Sequence, residues 1–355
     1  MKFYKCVSKS KILLIWVIFL LSLAGLFVFS QECKDGAIDG IFMCLSVLIP
    51  SLFPFFVLSS FLSESNILSP LSPIFNPLAR FLLKARGICL IPCIMAVAGG
   101  YPVGAKSVAS LRANGLIDQK EAEKLSCVCV GAGPGCLVTF IGFSILNSKQ
   151  AGIILLVSQI ISMVVLCFIS ALFFGKTECE NLCKIKKEVC ICEAVVNSVN
   201  SAVKSTVGMC GFVVVFSVVC KILTEGFGIN GALGKALISA LEITTGLSLT
   251  GAGLSVEVIS ALTGFGGICV HLQIFRELKN VEFSKLRFYI FRFVQSAVCF
   301  VSTKILLLLF PVTVDVFSSV TQAPKLSFYS SIFGTIALLI TSVIFIISIR
   351  HKRIS

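Results

Sequence analysis

The stretch Ala98-Gly99-Gly100-Tyr101-Pro102-Val103-Gly104-Ala105-Lys106 interrupts an apolar run, and Thr263-Gly264-Phe265-Gly266-Gly267 interrupts another far downstream. Glycine frees φ and proline removes a backbone donor, so neither stretch sustains a continuous helix. Backbone released from helical bonding inside lipid is tolerated only where protein packs it or a wet cavity receives it. Paired breaks in two parts of a membrane chain therefore point to a solute path.

The membrane assignment follows from composition. With 57% apolar and 13% charged residues over 355 positions, the chain cannot be arranged as one soluble core under a solvated surface. A hydrocarbon core of roughly 30 Å asks for about 20 apolar residues per helix. Ile12 to Phe29, Ile153 to Phe174, Leu286 to Phe310 and Ile332 to Ile349 meet or approach that length. Four other runs are broken or charged: Ile38 to Leu62 by Pro50 and Pro54, Ile88 to Leu111 by the first glycine stretch, Leu125 to Leu146 by Gly131-Ala132-Gly133-Pro134-Gly135, and Val195 to Leu223 by Lys204. The expected fold is all-α and polytopic, with eight to ten membrane elements, some re-entrant.

Orientation is read from lysine and arginine in short loops. Lys2, Lys5, Lys9 and Lys11 place the N-terminus in the cytoplasm, and Arg350, Lys352 and Arg353 place the C-terminus there too. Arg80, Lys84 and Arg86, then Lys176, Lys184, Lys186 and Lys187, then Arg276, Lys279, Lys285 and Arg287 mark further cytoplasmic segments. The net charge of +13 is thereby accounted for by topology, and no nucleic-acid partner is expected. The first apolar run is longer than a signal-peptide core and lacks a small-x-small cleavage site, so it reads as a retained anchor.

Placing Gly100 over Gly264 brings Arg112 over Arg276, and Glu121-Ala122-Glu123-Lys124-Leu125 then answers Glu282-Phe283-Ser284-Lys285-Leu286 after a gap shorter by three residues. The halves read as copies in opposite orientation. The expected organisation is an N-terminal anchor (1–36), a first half (37–175), a Cys- and Lys-rich cytoplasmic linker (176–194), a second half (195–310) and a C-terminal helix with a basic tail (311–355).

The ordered motifs Gly99 to Lys106, Glu121 to Leu125 with Gly133-Pro134-Gly135, Glu242-Ile243-Thr244-Thr245-Gly246, and Phe265-Gly266-Gly267-Ile268-Cys269-Val270-His271-Leu272-Gln273 carry a resemblance. Over about residues 37 to 310 the chain resembles the sporulation integral membrane proteins of the nucleoside-recognition, or Gate, type, a group similar to concentrative nucleoside transporters. That resemblance implies an endospore-forming bacterium, a mother-cell or outer forespore membrane, and movement of dipicolinic acid into the forespore. The short N-terminal region and the 17 cysteines depart from the family pattern, which leaves room for a changed substrate.

The residues supply chemistry for a small anionic solute. Gly99, Gly100 and Gly104 allow close backbone approach, Tyr101 can stack on an aromatic ring, and a helix starting near Pro102 aims its positive end at a carboxylate. Lys106 either meets the anion or snorkels to the interface. Gly133, Pro134 and Gly135 form either a second wall of the site or a packing break. Beyond Gly266 and Gly267, His271 could pair an anion or relay a proton, or be a packed polar contact. Gln273 lies two residues on and need not share its helical face. Glu242 either carries a coupling proton, holds sodium with Thr244 or Thr245, or pairs structurally with Lys204 or Arg292.

Other chemistries find less support. No G-x-x-x-x-G-K-[ST] or H-E-x-x-H occurs, and Gly246-Leu247-Ser248 with His271 supplies half of an intramembrane serine protease motif, so no enzyme is expected. Cys179, Cys183, Cys190 and Cys192 are spaced C-x3-C-x6-C-x-C, unlike paired C-x2-C knuckles, and neither a metal nor a cofactor is expected. The expected partners are the lipid bilayer, a small anion such as dipicolinate, a proton or sodium ion, and either further copies of the chain or a spore-membrane protein. A nucleoside or other small-solute carrier and a non-transporting spore-membrane assembly protein are the alternatives.

Overall fold

The computed structural model describes residues 16–17, 20, 23–65, 68–175, 191–229, 231–250 and 253–312. Outside them lie most of the N-terminal anchor, the linker cysteines Cys179, Cys183 and Cys190, and the C-terminal helix expected at 332–349. Every regular element among the described residues is helical.

Helix α1 (Ser30–Met43) passes through one π-helical turn into α2 (Ile49–Glu64), which opens on Pro50 and contains Pro54. The axis bends by 59° across this join. Helix α3 (Leu68–Leu83) is followed by α4 (Leu90–Gly99) after a 73° bend. Next come α5 (Tyr101–Ala113), α6 (Gln119–Val128), a π-helical stretch (Gly135–Ile145) and α7 (Lys149–Phe174). The remainder comprises α8 (Ile191–Lys221), α9 (Ala232–Leu241), α10 (Ile243–Thr250), α11 (Val256–Phe265), α12 (Gly267–Glu277) and α13 (Lys285–Leu309).

Four described segments are long and apolar enough to cross a membrane (149–174, 191–226, 256–277 and 285–309), or six if each bent pair is one span. The broken runs behave differently from one another. At Gly100 the chain folds back, and Gly104 packs on Ala96 across the turn, so 88–111 does not run through as one span. At Gly266 the chain changes helix yet continues in line, so α11 and α12 together have spanning length. The run Leu125 to Leu146 divides into α6, an irregular segment at 129–133 and the π-helical stretch.

Both breaks turn on a left-handed glycine, Gly100 at φ +87° and Gly266 at φ +98°. The left-handed residue of the second break is thus Gly266, two residues beyond the Gly264 that the sequence placed over Gly100. Gly264 is helical and serves packing instead, since a Cβ there would lie 2.9 Å from Cys299 Sγ.

Helix α6 carries Lys120, Glu121, Glu123 and Lys124, and of these Glu121 and Lys124 are buried. Asp118 and Glu121 form a reciprocal capping box at its start. Glu121 also pairs with Arg86. The Lys124 ammonium donates to the carbonyls of Leu83 and Gly175, at the C-terminal ends of α3 and α7, where a cation complements the helix dipole. Glu123 reaches α13, accepting from the Ser284 amide and pairing with Arg287 at 3.1 Å. Neighbouring helix ends thus satisfy these charges.

Candidate solute site

A small cavity of about 50 Å³, room for one or two waters as the chain stands, lies where the broken elements meet. Leu48 and Leu52 from the first helix pair, Met209 and Val213 from α8, and Val270 from α12 form its apolar walls. Gly100, Tyr101, Pro102, Gly133, Glu242, Thr244 and Gln273 complete it, so residues from all four sequence motifs share one space.

The breaks also touch one another. A Cβ at Gly133 would lie 2.9 Å from the Gly100 amide nitrogen, so this backbone crossing requires glycine on its Gly133 side. The Tyr101 hydroxyl donates to the Thr263 carbonyl, and its ring lies against Gly266. Gly267 (φ +69°) packs on the Ala240 carbonyl at the end of α9.

Glu242 sits in the one-residue join between α9 and α10, extended at φ −142° and ψ 115°. Its carboxylate accepts from the amides of Thr244 and Thr245 and from the Thr244 hydroxyl at 2.6 Å, capping α10 as an N-cap side chain does. The Thr245 and Ser217 hydroxyls share a hydrogen bond of 2.7 Å between α10 and α8. The structural pairing considered for Glu242 is not made: Lys204 is exposed, and Arg292 binds elsewhere. Glu242 is the one charged side chain on the cavity lining among the described residues.

Residues 45–174 match the family model described as "Gate: Nucleoside recognition". Over 330 residues the chain is 24% identical to the "Sporulation integral membrane protein YlbJ" of Bacillus subtilis (strain 168), with 81% of each chain covered. The chain thus carries a segment matching the Gate model and is similar to YlbJ over most of its length. No solved structure matches it. The matched segment supplies the Gly100, Tyr101 and Gly133 side of the cavity, and residues beyond it supply Glu242, Thr244 and Gln273.

The other sequence candidates stand around the cavity without lining it. Gly99 packs on Phe55 and Val103, and Gly104 packs on Ala96 and the Cys129 carbonyl. Lys106 is buried with its ammonium 5.3 Å from the Phe56 ring centre. Pro134 and Gly135 begin the π-helical stretch, whose next residue, Cys136, reaches the lining. His271 points away, its Nε2 2.8 Å from the Phe265 carbonyl and its ring among Phe265, Phe288 and Tyr289. Gln273, two residues on, faces the cavity, as the helical period requires of an i, i+2 pair.

Sequence reasoning missed a buried polar cluster behind Tyr101. Arg292, fully buried on α13, donates to the carbonyls of Cys127 and Val130 and to Gln295 Oε1. Gln159 of α7 accepts from the Cys299 thiol at 3.5 Å. An arginine inside an apolar run was the available signal, because such a charge is costly in lipid and faces the protein interior.

Proposed function

We propose that this protein is a membrane transporter carrying a small anionic metabolite, dipicolinic acid foremost, into the developing forespore, with both of its termini cytoplasmic. The observation that carries the reading is the convergence of Gly100, Gly133, Gly267 and Glu242 on or beside one cavity. Broken helices meeting at one site are the working parts of secondary transporters. Helix α5 starts at that cavity with Tyr101 and Pro102, offering the positive end of its dipole to a carboxylate. Dipicolinate as the solute rests on the family resemblance.

Glu242 is the group assigned to the coupling ion. A carboxylate beside a dianionic solute needs a proton or sodium ion between them, and the Thr244 hydroxyl stands 2.6 Å away as a further oxygen ligand. Ion binding at Glu242 would alter the cap of α10 and so couple ion occupancy to the cavity wall.

Two copies in opposite orientation fit the packing. Gly36 meets Val218, Gly40 meets Val214 and Cys44 meets Cys210, so the first helix pair and α8 run antiparallel. Gly100 and Gly266, and the N-caps Asp118 and Ser284, stand at matching places in the two halves.

The second reading is a nucleoside carrier, favoured by the lining itself. Glu242 and Gln273 among apolar walls suit ribose hydroxyls and a base edge without any counter-ion. Uptake of dipicolinate and of uridine into liposomes holding the purified chain, under imposed proton and sodium gradients, separates the two. Saturable, gradient-driven dipicolinate uptake is expected. Uptake of uridine alone moves the assignment to nucleosides, and uptake of neither by folded protein overturns transport of both.

A further inference from the structure

Arg292 is fully buried, and no acidic side chain pairs with it among the described residues. Its partners are two carbonyls, one amide oxygen and the face of the Phe288 ring at 5.3 Å, all neutral. Arginine is almost never fully buried unless paired, because desolvating a guanidinium is repaid only by a counter-charge with good geometry. The carbonyl end of α6 offers a partial negative charge, which leaves most of the cation unanswered.

Three N–H groups of the same cluster meet no protein acceptor: Arg292 Nε, Gln295 Nε2 and Gln159 Nε2. All three side chains are at least 98% buried. A water molecule could accept from such donors, but it would not neutralise the charge. A carboxylate does both, since its oxygens accept from a guanidinium and from neighbouring amides together.

The cluster's position ties it to the cavity. Gln159 Nε2 would lie 2.7 Å from a Cβ at Gly131, and Gly133, two residues on, lines the cavity. On the other side, a Cβ at Gly264 would lie 3.1 Å from the Gln295 carbonyl, and Thr263 before it accepts from the cavity residue Tyr101. The cluster thus stands directly behind the two glycine segments and Tyr101.

We infer that Arg292, Gln295 and Gln159 form a carboxylate-binding subsite that receives one acidic group of the solute when the Tyr101 wall shifts. This deepens the transport reading and rests on it. It places the selecting positive charge for an anion behind the lining, where Glu242 is the charge in view.

The test measures equilibrium binding of labelled dipicolinate and uridine to the purified full chain in lipid nanodiscs, wild type beside Gln159→Leu, Gln295→Leu and Gln295→Glu. Neither glutamine caps a helix, and circular dichroism with monodisperse elution checks each fold. Each Leu variant is expected to weaken dipicolinate binding about tenfold or more. Gln295→Glu supplies Arg292 with an internal carboxylate, so it is expected to raise the melting temperature while abolishing dipicolinate binding; a purely structural arginine would give the first effect without the second. Acetate and chloride serve as bare-anion probes by thermal shift, and acetate is expected to stabilise the wild type and not Gln295→Glu.

Wild-type dipicolinate binding that all three variants keep within twofold overturns the subsite and leaves the transport reading standing. Binding of uridine without dipicolinate overturns the anionic reading and the subsite together. Where neither solute binds, equal acetate shifts in wild type and Gln295→Glu overturn the subsite, and stabilisation by chloride alone reassigns it as a halide site.

Discussion

The Tyr101 hydroxyl donates to the Thr263 carbonyl, so the first residue of α5 is tied to the last turn of α11. One bond therefore joins the fold-back at Gly100 to the in-line break at Gly266. A net hydrogen bond of this kind contributes about 1 kcal/mol, and a buried acceptor left without a donor costs more. Tyr101→Phe keeps the ring on the cavity wall and removes the tie. Thermal unfolding of the purified variant is expected to show a loss of about 1–2 kcal/mol, and uptake kinetics a change in maximal rate larger than the change in KM. An unchanged melting temperature and rate would show that the two breaks move independently of this bond.

Glu242 offers a separation of charge from shape. The Thr244 and Thr245 amides meet separate carboxylate oxygens, so Glu242→Gln keeps an acceptor for one of them, and α10 retains part of its cap. Glu242→Ala removes the cap and is expected to cost about 1 kcal/mol. In liposomes Glu242→Gln is expected to lose gradient-driven accumulation while retaining exchange of solute across a membrane without a gradient. Accumulation at the wild-type level in this variant would move the coupling ion elsewhere.

The two left-handed glycines differ in severity. Gly100 combines φ +87° with ψ −172°, a region that essentially only glycine occupies, and a Cβ there would lie 3.2 Å from the Gly133 amide nitrogen. Gly266 has φ +98° and ψ −7°, and its nearest neighbour to a Cβ is Tyr101 at 3.5 Å. Gly100→Ala is expected to destabilise by about 2–3 kcal/mol. Gly266→Ala should cost about 1–2 kcal/mol, the ordinary penalty of a left-handed residue. Melting temperatures in the reverse order would contradict this account of the first break.

How far the site was legible follows from what each residue type declares locally. Glycine and proline announce a break wherever they interrupt an apolar run, so the segments around Gly100, Gly133, Glu242 and Gly266 could be named without coordinates. Which glycine takes the left-handed conformation could not, because Gly264, Gly266 and Gly267 read alike in sequence and only the backbone shows that Gly264 stays helical. The walls from Leu48, Leu52, Met209 and Val213 were invisible for another reason: an apolar side chain facing a cavity reads the same as one facing lipid. Helix α6 shows the opposite case, charged residues that are buried. Its Glu121 and Lys124 have partners 35 to 51 residues away in sequence, at Arg86, Leu83 and Gly175, and no local pattern records that. Arg292 was conspicuous as a charge within a span, but its partners at Cys127 and Val130 come from the other half of the chain.

The antiparallel contact of α1 with α8 gives a last prediction, independent of any solute. Gly36 and Gly40 stand one turn apart, and a Cβ at either would fall 2.8 and 2.9 Å from the Cα atoms of Val218 and Val214. Small residues four apart let two membrane helices approach this closely, and packing then replaces the hydrophobic drive that lipid cannot supply. Gly40→Ile must push α8 outward and is expected to destabilise by about 1–3 kcal/mol, the range for overpacking. Gly211 on α8 is the control, because a Cβ there meets nothing within 4 Å. Gly211→Ala should leave stability unchanged or raise it by about 0.5–1 kcal/mol through the lower backbone entropy of alanine in a helix. Since α8 also carries Met209 and Val213 on the cavity wall, Gly40→Ile should weaken solute binding as it loosens the helix pair, and Gly211→Ala should not. Equal melting temperatures and equal binding for the two variants would refute a close α1–α8 contact as the support of that wall.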